Sequence, residues 1–117
     1  PGTVAIHGMG FAAPTLASVA WVAAAEQLYW GDLDTYGFQI LGRLRAALPD
    51  VRSVLMDVAT LTAYRGLAVT EPVPFRGAIG YLTAEEHRAL AMLRTGDLRL
   101  EQERLPADAI RQALMSV

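Results

Sequence analysis

The 117-residue chain contains no cysteine, which excludes disulfides and thiolate metal sites and fits a reducing compartment such as the cytoplasm. It contains no lysine either, so all 10 basic residues are arginines. Arginine grips phosphate bidentately, but a GC-rich coding sequence produces the same bias and is the favoured explanation. Positive charge is not in excess: the net charge is −2 and the pI near 5.6, so the chain as a whole is no electrostatic magnet for nucleic acid. No run approaches the ~20 consecutive apolar residues of a membrane span, and the Ala-rich stretch 15–25 is about half that length. There is no basic opening segment of a secretory signal, no internal repeat and no low-complexity tract. The chain begins at Pro1 rather than a methionine, and it is expected to be a piece of a longer protein.

What is present is a hydrophobic content of 53% against 19% charged residues, enough for one domain around a single core. Val4-Ala5-Ile6-His7 predicts a buried strand, ended by Gly8-Met9-Gly10. From Pro14 a helix is expected, with Leu16, Val19, Ala20 and Ala23 as its apolar stripe. Residues 28–38 predict a buried strand that turns at once into a helix over 36–48, striped by Ile40, Leu41, Leu44 and Leu48 and stopped by Pro49. A third strand over 51–56 and a short helix over 58–64 follow. Residues 66–80, with Pro72, Pro74, Gly77 and Gly80, predict a long surface loop. Thr83-Ala84-Glu85-Glu86 is a capping box opening a helix to about Arg94, with Gly96 as its left-handed stop. An extended segment over 98–103 places Arg99, Glu101 and Glu103 on one face. After Leu105-Pro106 a last helix is expected to bury Ile110, Leu114 and Val117. The class is α/β, with a mainly parallel central sheet flanked by helices.

The chemistry concentrates at Asp32 and Asp34. On one strand they fall on the same side with a rise of roughly 6 to 7 Å between them, a separation suited to a divalent cation. Asp34 or Thr35 would equally serve as a helix cap. Gly37, in the first turn of a helix, implies that the backbone there approaches a ligand or a strand closely. Gly31, immediately before Asp32, is a further supporting candidate. Parallel strands share one carboxyl edge, which brings Asp57 and His7 toward the pair; capping is the favoured role for Asp57 and a structural one for His7. A rival signal is Gly8-Met9-Gly10-Phe11-Ala12-Ala13, a variant of the dinucleotide fingerprint, with Asp32 about 20 residues beyond it. A second Asp two residues later is unexplained by ribose binding.

The string Tyr29-Trp30-Gly31-Asp32-Leu33-Asp34-Thr35-Tyr36-Gly37-Phe38, then Ser53-Val54-Leu55-Met56-Asp57 and Leu100-Glu101-Gln102-Glu103-Arg104-Leu105-Pro106, resembles the Toprim-type C-terminal domain of JetD, the nuclease subunit of Wadjet anti-plasmid defence systems. The resemblance runs from about Val4 to the C-terminus. It implies a single Toprim-like domain over 1–117, a Rossmannoid sandwich lacking its first strand. It implies Mg²⁺, with Mn²⁺ possible, held by Asp32 and Asp34 as metal-binding and catalytic residues for phosphodiester cleavage. The implied partners are double-stranded DNA and the subunits of an SMC-like complex, with a homodimer as a further candidate. Glu101 or Glu103 is a candidate contributor to the acidic site. The family's glutamate belongs to a strand preceding Val4; Glu26, on the same expected strand as Asp32, lies ~20 Å toward the opposite edge. The fragment alone is therefore expected to bind metal weakly and to cleave nothing. No tyrosine carries a nucleophile's motif, so hydrolysis by metal-activated water is preferred. The alternative is a degenerate Toprim module that docks DNA or a partner without cutting.

Overall fold

The computed structural model describes residues 2–116, in which helices surround two small sheets. The first element is a 3-10 helix, Gly10–Ser18, followed by helix α1, Ala20–Ala24. One continuous helix was expected here, but Val19 takes an extended conformation at φ −92° and ψ 111°. Hydroxyl groups compete with the helical ladder: Thr15 Oγ1 donates to Ala12 O at 2.7 Å and Ser18 Oγ to Thr15 O at 2.8 Å. Residues 4–7, expected as a strand, pair with no strand among the described residues, and Val4 is 64% exposed. Gly2 and Gly8 on either side have φ of 87° and 77°, which turns the backbone off a strand path at both ends. Gly8-Met9-Gly10 accordingly lacks the preceding strand that a dinucleotide fingerprint needs.

Strand β1, Leu28–Tyr29, pairs in parallel with β2, Arg52–Ser53, and helix α2, Thr35–Ala47, forms the connection between them. Helix α3, Val58–Ala63, and a 3-10 turn, Arg65–Leu67, lead to strand β3, Val69–Thr70. Helix α4, Ala84–Gly96, then runs into β4, Leu98–Arg99, which pairs antiparallel with β3. A 3-10 turn, Gln102–Arg104, and helix α5, Ala107–Met115, complete the fold. In place of one mainly parallel central sheet, the described residues contain a parallel pair and an antiparallel pair, with an additional antiparallel bridge between Leu33 and Leu100. The strands stay short for local reasons; the one expected over 51–56 is cut at Leu55, whose φ of 60° no strand admits.

The core forms where α2 and α4 meet and where α3 packs on α4. Phe38 and Leu41 from α2, Leu93 from α4 and Leu61 from α3 are fully buried there with Leu33, Met56 and Leu100. Helix α5 is attached more lightly: Ile110 packs on the core while Leu114 is 45% exposed, and Val117 lies outside the described residues. The left-handed residue after α4 is Asp97, at φ 48°, rather than Gly96, which remains helical; aspartate tolerates that conformation better than most residues. Residues 66–80 are not a free loop. Glu71 and Ile79 are buried, and Arg94 Nη2 donates to the carbonyls of Phe75 at 2.9 Å and Gly77 at 2.6 Å. Among the described residues no helix is long and apolar enough to cross a membrane.

The capping box at Thr83 is present, and its glutamate does more than cap. Glu86 accepts from Thr83 N at 2.8 Å, from Arg45 Nη2 at 2.9 Å and from Ser53 Oγ, joining α4 to α2 and β2. Burial alone would raise its pKa, but the bonds from Arg45, Ser53 and Thr83 outweigh it and bring Glu86 down to about 2. A depressed folded pKa contributes stability that is complete above the ordinary value of 4.5 and is lost as the pH falls toward about 2. Glu86→Ala should cost about 3 to 5 kcal/mol in urea unfolding, because it leaves Arg45 buried without its partner. Glu86→Gln should flatten the fall in stability across that acid window, and an unchanged acid limb would remove Glu86 from its cause.

Candidate functional site

Two hydrogen bonds assemble the site. Leu33 N donates to Leu100 O at 2.9 Å and Leu100 N to Leu33 O at 3.0 Å, and both leucines are 1% exposed. Extended chain alternates its faces, so the residues flanking two inward leucines all turn to the other side. Those neighbours are Asp32 and Asp34 on one segment, Arg99 and Glu101 on the other. Arg99 Nε lies 3.3 Å from Asp34 Oδ2 and 3.9 Å from Glu101 Oε1, and Arg99 Nη2 lies 4.0 Å from Asp32 Oδ2.

Each aspartate has one oxygen committed to the backbone. Asp34 is the N-cap of α2, its Oδ1 accepting from Gly37 N at 2.6 Å. Asp32 Oδ1 accepts from Gln102 N at 2.8 Å, which ties it to the turn after β4. The second oxygens, both Oδ2, face the single guanidinium of Arg99. Gly37 makes this packing possible, since a Cβ there would stand 2.0 Å from the carbonyl oxygen of Asp32. The close approach inferred from its position is to that carbonyl.

A third carboxylate, Glu71, went unnoticed in the sequence because it falls in what reads as a surface loop. It is 4% exposed, and its Oε2 accepts from Thr35 Oγ1 at 2.8 Å and from Thr35 N at 3.2 Å. The N-terminus of α2 thus holds two buried acids, where exposed amide groups and the helix dipole favour negative charge. Burial nevertheless raises the pKa of Asp34; the Gly37 amide opposes that rise, Glu71 and Asp32 add to it, and Arg99 offsets it in part. Tyr29 is pushed well above the ordinary phenol value by burial and then by Asp34 and Asp32.

These groups line a cleft of about 1200 Å³, with Asp32, Asp34, Glu71, Arg99, Gln102 and Trp30 in its wall. Gly31 and the exposed His7 border the same cleft. Asp57 does not: its carboxylate caps α3 by accepting from Thr60 N at 2.8 Å. Glu101 is half-buried beside Arg99, while Glu103 is exposed in the turn 102–104, because the extended segment ends at Leu100. Glu26 pairs with Arg52 on the surface at 2.7 Å. Gln102 Oε1 and Arg99 Nε are buried without hydrogen-bond partners beside the acidic pair.

Among the described residues no three His, Asp or Glu side chains are grouped so as to hold a metal ion. The donor set still fits magnesium in part. That ion takes hard oxygen ligands and is commonly held by one or two carboxylates plus water and substrate phosphate, and two aspartate oxygens here already share one cationic group.

The domain of helices and two small sheets thus gathers carboxylates at a helix N-terminus beside one arginine, in the wall of a cleft. The family model of the Wadjet protein JetD, C-terminal, matches residues 1–114, and the chain belongs to that family. No curated protein matches the chain.

Two substitutions probe the arrangement. Gly37→Ala should lower stability by about 2 kcal/mol or more, since the clash is with backbone and cannot be relieved by a rotamer. Asp34→Asn keeps an acceptor for Gly37 N and removes a charge that burial disfavours, so the metal-free thermal midpoint should rise. Asp34→Ala loses the cap and should cost about 1 kcal/mol. A lower midpoint for the Asn variant would mean that Arg99 stabilises the Asp34 charge more than burial penalises it.

Proposed function

We propose that this chain is the Toprim-like catalytic domain of a JetD protein which, at full length, hydrolyses phosphodiester bonds of double-stranded DNA with Mg²⁺, or Mn²⁺ in its place. It would act in the cytoplasm with SMC-like subunits in anti-plasmid defence. Membership of the JetD C-terminal family supports the defence role, and the parallel β1–α2–β2 unit supports the Toprim-like relationship. One observation carries the chemistry: Asp32 and Asp34 each fix one carboxylate oxygen on a backbone amide and present the other to a shared cation.

In this reading Asp32 Oδ2 and Asp34 Oδ2 are the metal-holding atoms, while the amides of Gln102 and Gly37 keep both carboxylates from turning. When bound, the ion supplies polarisation of a phosphoryl oxygen and a water of lowered pKa. Glu71 and Thr35 hold the entry of α2 in place from the far side. Burial and then the two aspartates raise the pKa of Tyr29. No tyrosine of the chain carries a nucleophile's motif, and attack by metal-activated water is the preferred reading. Among the described residues the two aspartates make only part of a magnesium shell, and in this reading water, substrate phosphate or a further carboxylate completes it.

The second reading, a module that docks DNA or a partner without cutting, is favoured by the absence of any three-ligand group among the described residues. Plasmid cleavage by the full-length protein, titrated with Mg²⁺, separates the two. Asp32→Asn and Asp34→Asn should each lower the rate by about a hundredfold or more with the fold retained. Full activity in either variant would refute the metal assignment.

A further inference from the structure

Of the arginines that stand against carboxylates among the described residues, the two least exposed, Arg45 and Arg99, are held in opposite ways. Arg45 is fixed by hydrogen bonds: Nε donates to Val51 O at 3.0 Å, Nη1 to Tyr81 O at 2.8 Å, and the guanidinium forks onto both oxygens of Glu86. Arg99 lies within 4.0 Å of three carboxylates, yet its Nε is buried with no hydrogen-bond partner. At 3.3 Å from Asp34 Oδ2 that nitrogen is close enough to bond and is misaligned for it. The site uses the charge of Arg99 without the paired geometry that makes arginine a permanent partner.

A cation held by field rather than by directed bonds can be exchanged for another. The backbone of Arg99 is pinned by the β3–β4 pairing and by the neighbouring Leu100 bridge, while its side chain is 34% exposed along the cleft. Rotation of the side chain into the cleft therefore disturbs no ladder bond.

We propose that Arg99 is an internal counter-cation: it offsets part of the negative charge of Asp32, Asp34 and Glu101 in the metal-free domain, competes with a divalent ion for the same carboxylate oxygens, and turns to a DNA phosphate once displaced. The proposal rests on the nuclease reading above. It makes ion loading and strand binding mutually supporting, since the guanidinium released by the ion finds its next partner in the phosphate that the ion also contacts. The planar fork that meets no carboxylate squarely in the resting site matches the spacing of phosphate oxygens.

The test is Mn²⁺ binding to the full-length protein, followed by electron paramagnetic resonance, in the parent and in Arg99→Gln, Arg99→Met, Arg99→Lys and Asp32→Asn forms. Removing a positive charge within about 4 to 6 Å of a carboxylate changes its affinity for a cation by roughly tenfold or more. Arg99→Gln and Arg99→Met should therefore bind Mn²⁺ about tenfold more tightly, while Arg99→Lys stays near the parent. Equal or weaker binding in both neutral variants, with binding in the parent lost on Asp32→Asn, would overturn the competition and leave the metal site standing. Parent binding that is indifferent to Asp32→Asn would bring down the nuclease reading and this inference with it. DNA affinity measured in Ca²⁺ reads the phosphate contact. The slope of log affinity against log salt should fall by about one in Arg99→Gln, and an unchanged slope would overturn that contact.

Discussion

The register of Leu33 against Leu100 is the constraint on which the rest of the structure depends. Burying two leucine side chains stabilises the fold by about 1.5 to 3 kcal/mol each, and sliding one segment by a single residue would exchange them for charged neighbours. The penalty for that slip is carried by Asp32 and Asp34 on one side and by Arg99 and Glu101 on the other, none of which the core could accept. The hydrophobic choice and the electrostatic one therefore specify the same pairing. Further bonds hold the register: Gln102 N to Asp32 Oδ1 just beyond the bridge, and Glu71 N to Asp97 O at 2.7 Å where β3 meets β4.

Burial raises the pKa of both Glu86 and Asp34, yet their net shifts run in opposite directions, and their partners make the difference. Glu86 has an arginine fork, a serine hydroxyl and a backbone amide, and together they more than offset the loss of water. Asp34 has one amide and a misaligned guanidinium, with Glu71 and Asp32 nearby, and its charge remains disfavoured. Had stability alone shaped the entry to α2, an asparagine would satisfy Gly37 N at less cost. An ionised group kept where its surroundings resist ionisation is a reservoir that an incoming cation can draw on, which is why such groups gather where ligands bind.

Helix α2 was legible from its apolar spacing, and α4 from the capping box at Thr83, because local rules govern both. The helices over 58–63 and 107–115 followed from a cap and a proline in the same way. The sheets were not legible in that way. Val51 to Met56 has the composition of a strand, yet the left-handed Leu55 interrupts it, and nothing in the local sequence distinguishes a left-handed leucine from an extended one. Val4 to His7 has the right residues and no partner among those described, and pairing is a property of distant chain. The site was half legible. Asp32, Asp34 and the near approach at Gly37 stand in one stretch, whereas Arg99 arrives only through the bridge and Glu71 only through folding of residues 66–80 onto Thr35. A hint existed: Leu98 and Leu100 alternate with Arg99 and Glu101 as a strand with one inward face should. Glu71 offered none, since an isolated glutamate before a proline is what an exposed turn also contains.

Capping and metal binding are natural rivals for Asp34 when only the sequence is available; the geometry shows the cap and leaves one oxygen outside it. A carboxylate has two oxygens, and a helix N-terminus uses one. Once Gly37 N takes Oδ1, the group loses its freedom to rotate, and Oδ2 is left pointing along a fixed direction into the cleft. Asp32 is treated in the same way by Gln102 N, from a different element. The structural role is thus what aims the second oxygen, and the two acids are held toward one guanidinium by bonds made during folding, so that any cation they meet finds them already ordered.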